Sequence, residues 1–304
     1  MRGSRRLFDS GVTALAPAIW GSTYLVTTEL LPAGRPLLAS VLRALPAGLV
    51  MLCVGRILPT GIWVWRALAL GTLNIGAFFF LLFFAAYRLP GGVAALIMSF
   101  QPMLVLLLAA ALLGDRIKLV HVAACAVGAV GVALLVLRPT AALDLVGVLA
   151  ALGGAVSMAA GIVLTKRWKR PEGVGLLQFT GWQLTAGGIV LLPALLLVEG
   201  LPDQLSGPNV VGFAYLAVLG SLLGYTVWFR GVERLPALAV SFLAFASPVV
   251  ATVLGYLFLD QALSLVQVVG AVIIVAAVVI SQPRAGTPPA APPEPISASS
   301  ARSA

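Results

Sequence analysis

The chain has 304 residues, 61% hydrophobic and 10% charged, with a mean hydropathy of +1.08 and a net charge of +9. A soluble domain carries roughly 25% charged residues, so a fold built around one water-excluding core is ruled out and lipid is the implied solvent. The basic balance does not point to nucleic acid, because the cations lie in short loops between apolar runs, which is a signature of membrane topology.

A membrane-crossing helix needs about 20 apolar residues. Ten such runs fit the chain, at 11–28, 37–55, 63–87, 92–113, 118–137, 145–165, 176–197, 210–229, 237–258 and 263–281. Ahead of the first, Ser4-Arg5-Arg6-Leu7-Phe8 touches the twin-arginine export pattern. The apolar run behind it continues to Val26 and further runs follow, so residues 1–10 are expected to be a cytoplasmic N-terminus. The first run carries Trp20, Ser22 and Tyr24. The second carries Arg43, alone among Lys and Arg in lying well inside a run. An intramembrane cation is a functional candidate by default, although Arg43 is close enough to the outer end to snorkel or to bond helix-end carbonyls. Cys53 and Cys125 fall in apolar runs and read as small buried side chains.

The third run adds Asn74 and Phe78-Phe79-Phe80. Arg88-Leu89-Pro90-Gly91-Gly92 then suits a tight turn. The fourth run holds Ser99, Gln101 and Pro102, and Asp115 caps its end. Gly153, Ser157 and Gly161 recur every four residues in the sixth run, and Gly220 and Gly224 do so in the eighth. That spacing stacks small residues on one helix face for close packing. Trp63, Trp65 and Trp168 read as interfacial, with Trp182, Tyr225 and Trp228 as candidates for a cavity wall. The ninth run holds Ser241, Ser247 and Pro248 and ends at Asp260. From Gln282 onward the Pro, Ala and Ser content predicts a disordered tail.

Orientation follows from the 19 Lys and Arg residues. With the N-terminus in the cytoplasm, only Arg35, Arg88 and Arg138 fall outside and Arg43 falls within a run. The remainder lie inside, as expected for segments that are unfavourable to translocate. A repeat is also visible. Arg88-Leu89-Pro90 recurs as Arg234-Leu235-Pro236, and Pro102 and Pro248 each follow the triplet's proline by twelve residues. Arg43–Gly48 can be laid on Gln183–Gly188. Five runs per half is an odd number, so the second half must enter from the opposite side. The expected fold is an all-α integral membrane protein of ten transmembrane helices, arranged as two inverted five-helix repeats over 11–138 and 144–282, with a tail at 283–304. Many secondary transporters are built this way, with substrate sites at the repeat interface near the midplane. A mid-helix proline kinks its helix and frees a carbonyl, so Pro102 and Pro248 are the expected kinks beside a central cavity. Substrate contacts are expected from Trp20, Ser22, Tyr24, Arg43, Asn74, Phe79, Gln101, Trp182, Tyr225 and Trp228.

Trp20-Gly21-Ser22, Arg43, Pro102 with Asp115 thirteen residues later, and Pro248 with Leu259-Asp260, Gln267 and Gly270 resemble the EamA-like family of the drug/metabolite transporter superfamily, over roughly residues 10–282. Family members often have Glu where Asp115 and Asp260 stand. The resemblance implies ten helices, a cavity lined by spans one, three, four, six, eight and nine, alternating access, and export of metabolites such as amino acids across the bacterial cell membrane. It also implies that some members work without a clear coupling ion, in keeping with the lack of mid-run carboxylates. Phosphate carriers of the superfamily need several cavity cations, and only Arg43 is available here. No enzymatic activity, catalytic residue, cofactor or metal site is expected. No Gly-x-x-x-x-Gly-Lys-Ser/Thr loop suggests an ATP-driven pump. The expected partners are a small-molecule metabolite and the lipid bilayer, with a homo-oligomer left open. The rival readings are a scaffold or channel-like subunit, and a membrane-embedded enzyme.

Overall fold

The computed structural model describes residues 2–89, 94, 97–136, 144–258 and 264–281, and no strand occurs among them. The helices are α1 (Arg2–Gly21), α2 (Thr23–Leu30), α3 (Pro36–Gly55), α4 (Ile62–Arg88), α5 (Gln101–Leu113), α6 (Leu119–Val136), α7 (Leu145–Trp168), α8 (Leu176–Glu199), α9 (Gly207–Arg234), α10 (Ala237–Phe258) and α11 (Leu265–Ser281). Six of them, α3, α4, α7, α8, α9 and α10, are long and apolar enough to cross a membrane. Leu197 (86% exposed), Val198 (77%) and Val279 (66%) typify an outer surface that only lipid would wet favourably. The chain is a multi-pass membrane protein.

Several expectations concern residues outside those described: the Pro90-Gly91-Gly92 turn, Arg138, Leu259-Asp260, the tail from Gln282, and the side chain of Tyr24. Elsewhere most helix ends lie close to the apolar runs, although α1 is already helical from Arg2, nine residues ahead of the first run, and three further differences are informative. The first run is interrupted at Ser22. The Ser22 hydroxyl donates to Ile19 O at 2.6 Å and its amide bonds the same carbonyl at 3.1 Å, a local bond that competes with the helical ladder. Pro102 and Pro248 do not kink the middle of a helix. Each follows directly on a break, with turns at Ser99–Phe100 and Ala244–Phe245. There Phe100 N bonds Ile97 O and Phe245 N bonds Phe242 O, both at 3.1 Å, in the tighter i→i−3 pattern. A proline's missing N–H costs nothing in a helix's first turn, and both prolines sit there, Pro102 second after Gln101 and Pro248 third after Ala246. Lastly, α4 widens to a π-helix at Thr72–Gly76, α9 does so at Leu216–Leu223, and α8 ends in one at Leu195–Glu199.

Helix ends are satisfied from afar. The Glu199 carboxylate accepts from the amides of Leu37 (2.7 Å) and Leu38 (2.9 Å), so the end of α8 caps the start of α3. Glu199→Ala is expected to lower stability by about 1 kcal/mol, the usual value of an N-terminal cap, read as an earlier thermal transition in detergent. Asp144 caps α7 through the amides of Val146 and Gly147, and the Gly147 bond leads in holding its carboxyl below the usual range. Its folded pKa is depressed, so this cap contributes fully at neutral pH and is lost on acidification through the carboxylate range. α5 ends on Gly114 in the left-handed conformation (φ +74), whose N–H bonds Ala109 O. The cap assigned to Asp115 is therefore made by backbone, and Asp115 is exposed. Cys53, expected to be buried, is exposed, whereas Cys125 is buried.

In the packing, α3 lies along α8 and α6 along α11, with α5 against α10. α4 packs on α7 and α8; α9 packs on α1 and α3. α5 also meets α7, and α10 meets α1. Glycines set the closest approaches. An ideal Cβ on Gly48 would lie 2.5 Å from Thr185 N, and one on Gly188 would lie 2.8 Å from Leu45 Cβ. One on Gly71 would lie 2.6 Å from Gln183 O.

Candidate functional site

Where α1, α3, α4 and α9 converge, the polar and aromatic side chains of the interior gather. Arg43 on α3 is 2% exposed, the only buried Lys or Arg among the described residues. Its guanidinium carbon stands 4.4 Å from the centroid of the Phe79 ring. A desolvated cation gains about 2 kcal/mol from such a ring face. Arg43 is thus enclosed by the protein. Phe79 meets Tyr225 at 5.6 Å, Tyr225 meets Trp20 at 4.8 Å, and Trp20 meets Trp228 at 5.2 Å, in tilted or edge-on geometries that suit the ring quadrupoles. Phe79, Tyr225 and Trp228 are completely buried.

Local backbone geometry places the polar members. Asn74 lies in the π segment of α4, and Gly220 lies in that of α9. The wider turn accommodates one extra residue and re-aims its neighbours, a device frequent at functional sites. Trp20 donates its indole N–H to Gly220 O at 2.7 Å. Asn74 donates to Thr165 Oγ1 (3.1 Å) and to Gln183 Oε1 (2.8 Å), while the Tyr225 hydroxyl donates to Asn74 O at 3.4 Å. Ser157 donates to Leu73 O at 2.8 Å. Room for the Asn74 amide depends on Gly161, whose Cβ would overlap Asn74 Oδ1. The small-residue stripe of α7 thus faces α4, and that of α9 faces Arg43 and Trp20.

Of the residues singled out from sequence, Trp20, Arg43, Asn74, Phe79, Tyr225 and Trp228 form this one connected cluster. Gln101 is buried in the first turn of α5, and its Nε2 has no hydrogen-bond partner among the described residues. Ser22 is elsewhere: its Oγ lies 2.6 Å from Tyr215 Oη, and both line a groove of about 400 Å³ between α1, α9 and α10. Trp182 also stands apart. It packs on Trp63 and Phe179 and donates its indole N–H to Ile57 O at 2.7 Å, tying α8 to the end of α3. Sequence reading missed Gln183 and Thr165 as members of the polar interior and Tyr215 as the partner of Ser22 in the groove. A signal for Gln183 existed, since the repeat alignment lays it on Arg43.

Comparisons with known proteins agree with this architecture. The model of the EamA-like transporter family matches residues 11–137 and 145–281. Protein PecM of Dickeya dadantii (strain 3937) is 50% identical over 267 residues, covering 88% of this chain and 90% of that protein. A probable amino-acid metabolite efflux pump of Salmonella typhimurium is 25% identical over 289 residues, covering 90% and 94%. The uncharacterized inner membrane transporter YedA of Escherichia coli (strain K12) is 28% identical, covering 86% of each. A solved structure described only as "Crystal structure of protein" superposes with a TM-score of 0.76 at 22% identity, covering 90% of this chain and 95% of that one, and shares the fold.

Proposed function

The chain belongs to the EamA-like transporter family, and from that premise we propose that it is a secondary carrier exporting small metabolites, such as amino acids or related compounds, by alternating access. In this reading ten spans form two inverted five-helix repeats, 11–138 and 144–282, with both termini cytoplasmic. The support is an exchange of equivalents that runs through the packing. Swapping α3 with α8, α4 with α9, α5 with α10, α6 with α11 and α1 with α7 turns the main contacts into one another. Gly48 against Thr185 becomes Gly188 against Leu45, and Gly131 against Ile274 becomes Gly270 against Leu135. Phe79 and Tyr225, 146 residues apart like the two Arg-Leu-Pro triplets, meet face to edge where the halves join.

One observation carries the functional reading: a buried cation, Arg43, stands on an aromatic floor at that junction, beside Gly220 and close to Trp20. Arg43 takes the carboxylate of the cargo. Trp20, Phe79, Tyr225 and Trp228 cover its apolar part, with Asn74 and Gln101 as polar contacts and Ser22, Tyr24 and Trp182 nearer the approaches. Side chains with no exposure admit cargo only when the helices around them separate, which suits a carrier more than an open channel.

The test is uptake and counterflow in reconstituted vesicles across a panel of amino acids and related metabolites, with and without a proton gradient. Saturable counterflow of a carboxylate-bearing cargo is expected. Trp20→Ala and Tyr225→Ala are each expected to raise its half-saturation concentration about fivefold, since a well-packed aromatic contact contributes about 1 kcal/mol beyond its area. Absence of counterflow across the whole panel, with the protein folded and correctly inserted, would sink the proposal and favour a scaffold or channel-like role.

A further inference from the structure

We propose that the arginines of the two Arg-Leu-Pro triplets are end latches of unequal strength, and that Arg230 biases the carrier toward the state closed at its cytoplasmic end. This rests on the inverted, alternating-access reading above. Arg88, in the last turn of α4, pairs with Asp144 at the start of α7 (Nη1 to Oδ2, 3.1 Å). Arg234, its equivalent at the end of α9, pairs with Asp9 on α1 (Nη1 to Oδ1, 3.3 Å). Each pair pins the end of a π-containing helix to the first helix of the other half. With inverted repeats the two pairs lie at opposite membrane faces, Asp9 inside and Asp144 outside.

The two latches differ at one position. Asp9 also accepts from Arg230 Nη2 at 2.6 Å, the shortest of these ion pairs. The residue 146 positions earlier, in the place equivalent to Arg230, is Phe84. There Arg88 lies over the ring, 4.6 Å from its centroid. The inner latch therefore has two cations on one carboxylate, with Arg230 only distantly over the Phe8 ring (5.9 Å), and the outer has one cation shared between a carboxylate and a ring at 4.6 Å. The added strength comes through Arg230, because Arg234 is 54% exposed. The side chains of Arg230 and Asp9 are 21% and 16% exposed, against 43% and 36% for Arg88 and Asp144. A less hydrated charge-assisted pair is less screened and stronger. The acid nearest in sequence to the inner arginines, Glu233, is held by Arg170 at 2.7 Å and leaves Asp9 to them. The Lys166 ammonium adds to the same closure by donating to Val232 O at 2.7 Å and to Leu235 O, at the end of α9. In alternating access one end opens as the other closes, so the stronger latch sets the resting state.

The experiment uses the full chain in lipid nanodiscs on a Cys53→Ser, Cys125→Ala background. Nitroxide pairs replace Leu7 and Arg167 to report the inner end, and Leu145 and Leu201 to report the outer end. Double electron–electron resonance is expected to give a short inner distance for the parent protein. Asp9→Asn and Arg230→Phe are expected to raise the long inner-distance population on the order of tenfold, with a matching shortening outside. Phe84→Arg, which copies the inner arrangement outside, is expected to shift the balance the same way. Reversing charges together, as Asp9→Arg with Arg230→Asp and Arg234→Asp, is expected to restore the short inner distance, which an unfolded variant could not do. Inner and outer distances unmoved by Asp9→Asn and Arg230→Phe would overturn the latch. A separate arm tests the topology: an impermeant maleimide on intact cells should modify Leu145→Cys and spare Leu7→Cys. Equal modification would overturn the inverted reading and the latch with it, whereas opposite-side labelling with unmoved distances would overturn the latch alone.

Discussion

Arg43→Ala is expected to cut counterflow by at least about tenfold without preventing folding. A hydrogen bond to a charged group contributes about 1.5–3 kcal/mol, which is about 10- to 150-fold in affinity. The site is deep enough for that value to apply, with Arg43 only 2% exposed and its guanidinium 4.4 Å from the Phe79 ring centre. Little water screens it. Arg43→Lys is expected to recover only part of the activity. An ammonium keeps the charge but loses the planar fork that grips a carboxylate at two points and lies flat on a ring. The diagnostic comparison is between cargoes. The loss in Arg43→Ala should be large for a free carboxylate and small for the matching amide or ester. Equal losses for acid and amide would mean that Arg43 shapes the helices and does not read the cargo. A thermal transition close to the parent's would separate lost binding from lost fold.

The second large effect is structural. Gly48→Leu is expected to destabilise the protein by about 3 kcal/mol, at the upper end of what overpacking costs, and to lower its yield in the membrane. The added side chain would begin 2.5 Å from both the Thr185 amide nitrogen and its Oγ1. A backbone atom in a neighbouring helix cannot rotate away, so α3 and α8 would have to part. The same seam holds Gly188 against Leu45, and Gly71 with Gly187 on the neighbouring α4–α8 contact. Opening it would also pull Gln183 from Asn74. Gly11→Ala makes the control, because nothing lies within 4 Å of its Cβ and alanine favours helix over glycine by about 1 kcal/mol. If Gly48→Leu and Gly11→Ala melt alike, the close approach of α3 to α8 does not depend on a glycine at position 48.

Much of the helical frame was legible in the chain itself. The apolar runs at 37–55, 63–87 and 145–165 correspond to Pro36–Gly55, Ile62–Arg88 and Leu145–Trp168. Lipid imposes this legibility, because a backbone in hydrocarbon must satisfy its own hydrogen bonds and a spanning segment must be apolar throughout. The equivalence of Arg43–Gly48 with Gln183–Gly188 was only faintly visible in sequence, since few identities support it. The contacts of Gly48 with Thr185 and of Gly188 with Leu45 supply the matching geometry. The site was legible as a set of residue types and only partly as a constellation. Trp20, Asn74, Phe79, Tyr225 and Trp228 do converge with Arg43. Trp182 looks much like Tyr225 in sequence, an aromatic residue inside an apolar run, yet it packs on Trp63 and donates to Ile57 O just beyond α3. Residue type does not separate these two, because most of the helices present apolar side chains outward as well as inward. In water a polar stripe would mark the outer face; in lipid that cue vanishes.

The solvent, the helical class, the positions of the long apolar helices and the family resemblance could all be read before any folding was considered. The first three follow from composition and run length and the resemblance from short motifs such as Trp20-Gly21-Ser22, all of them properties of the chain taken one segment at a time. Only the tertiary structure decided that Arg43 is enclosed on Phe79, that Asn74 bridges Thr165 and Gln183, and that Asp9 is shared by Arg230 and Arg234. It also decided that the prolines begin half-helices behind a tightened turn and do not bend continuous ones. Those outcomes depend on which helix faces lie against each other. Among membrane helices that choice is made by glycine contacts, π-helical turns and a few hydrogen bonds distributed across several segments, and no single segment's pattern encodes it.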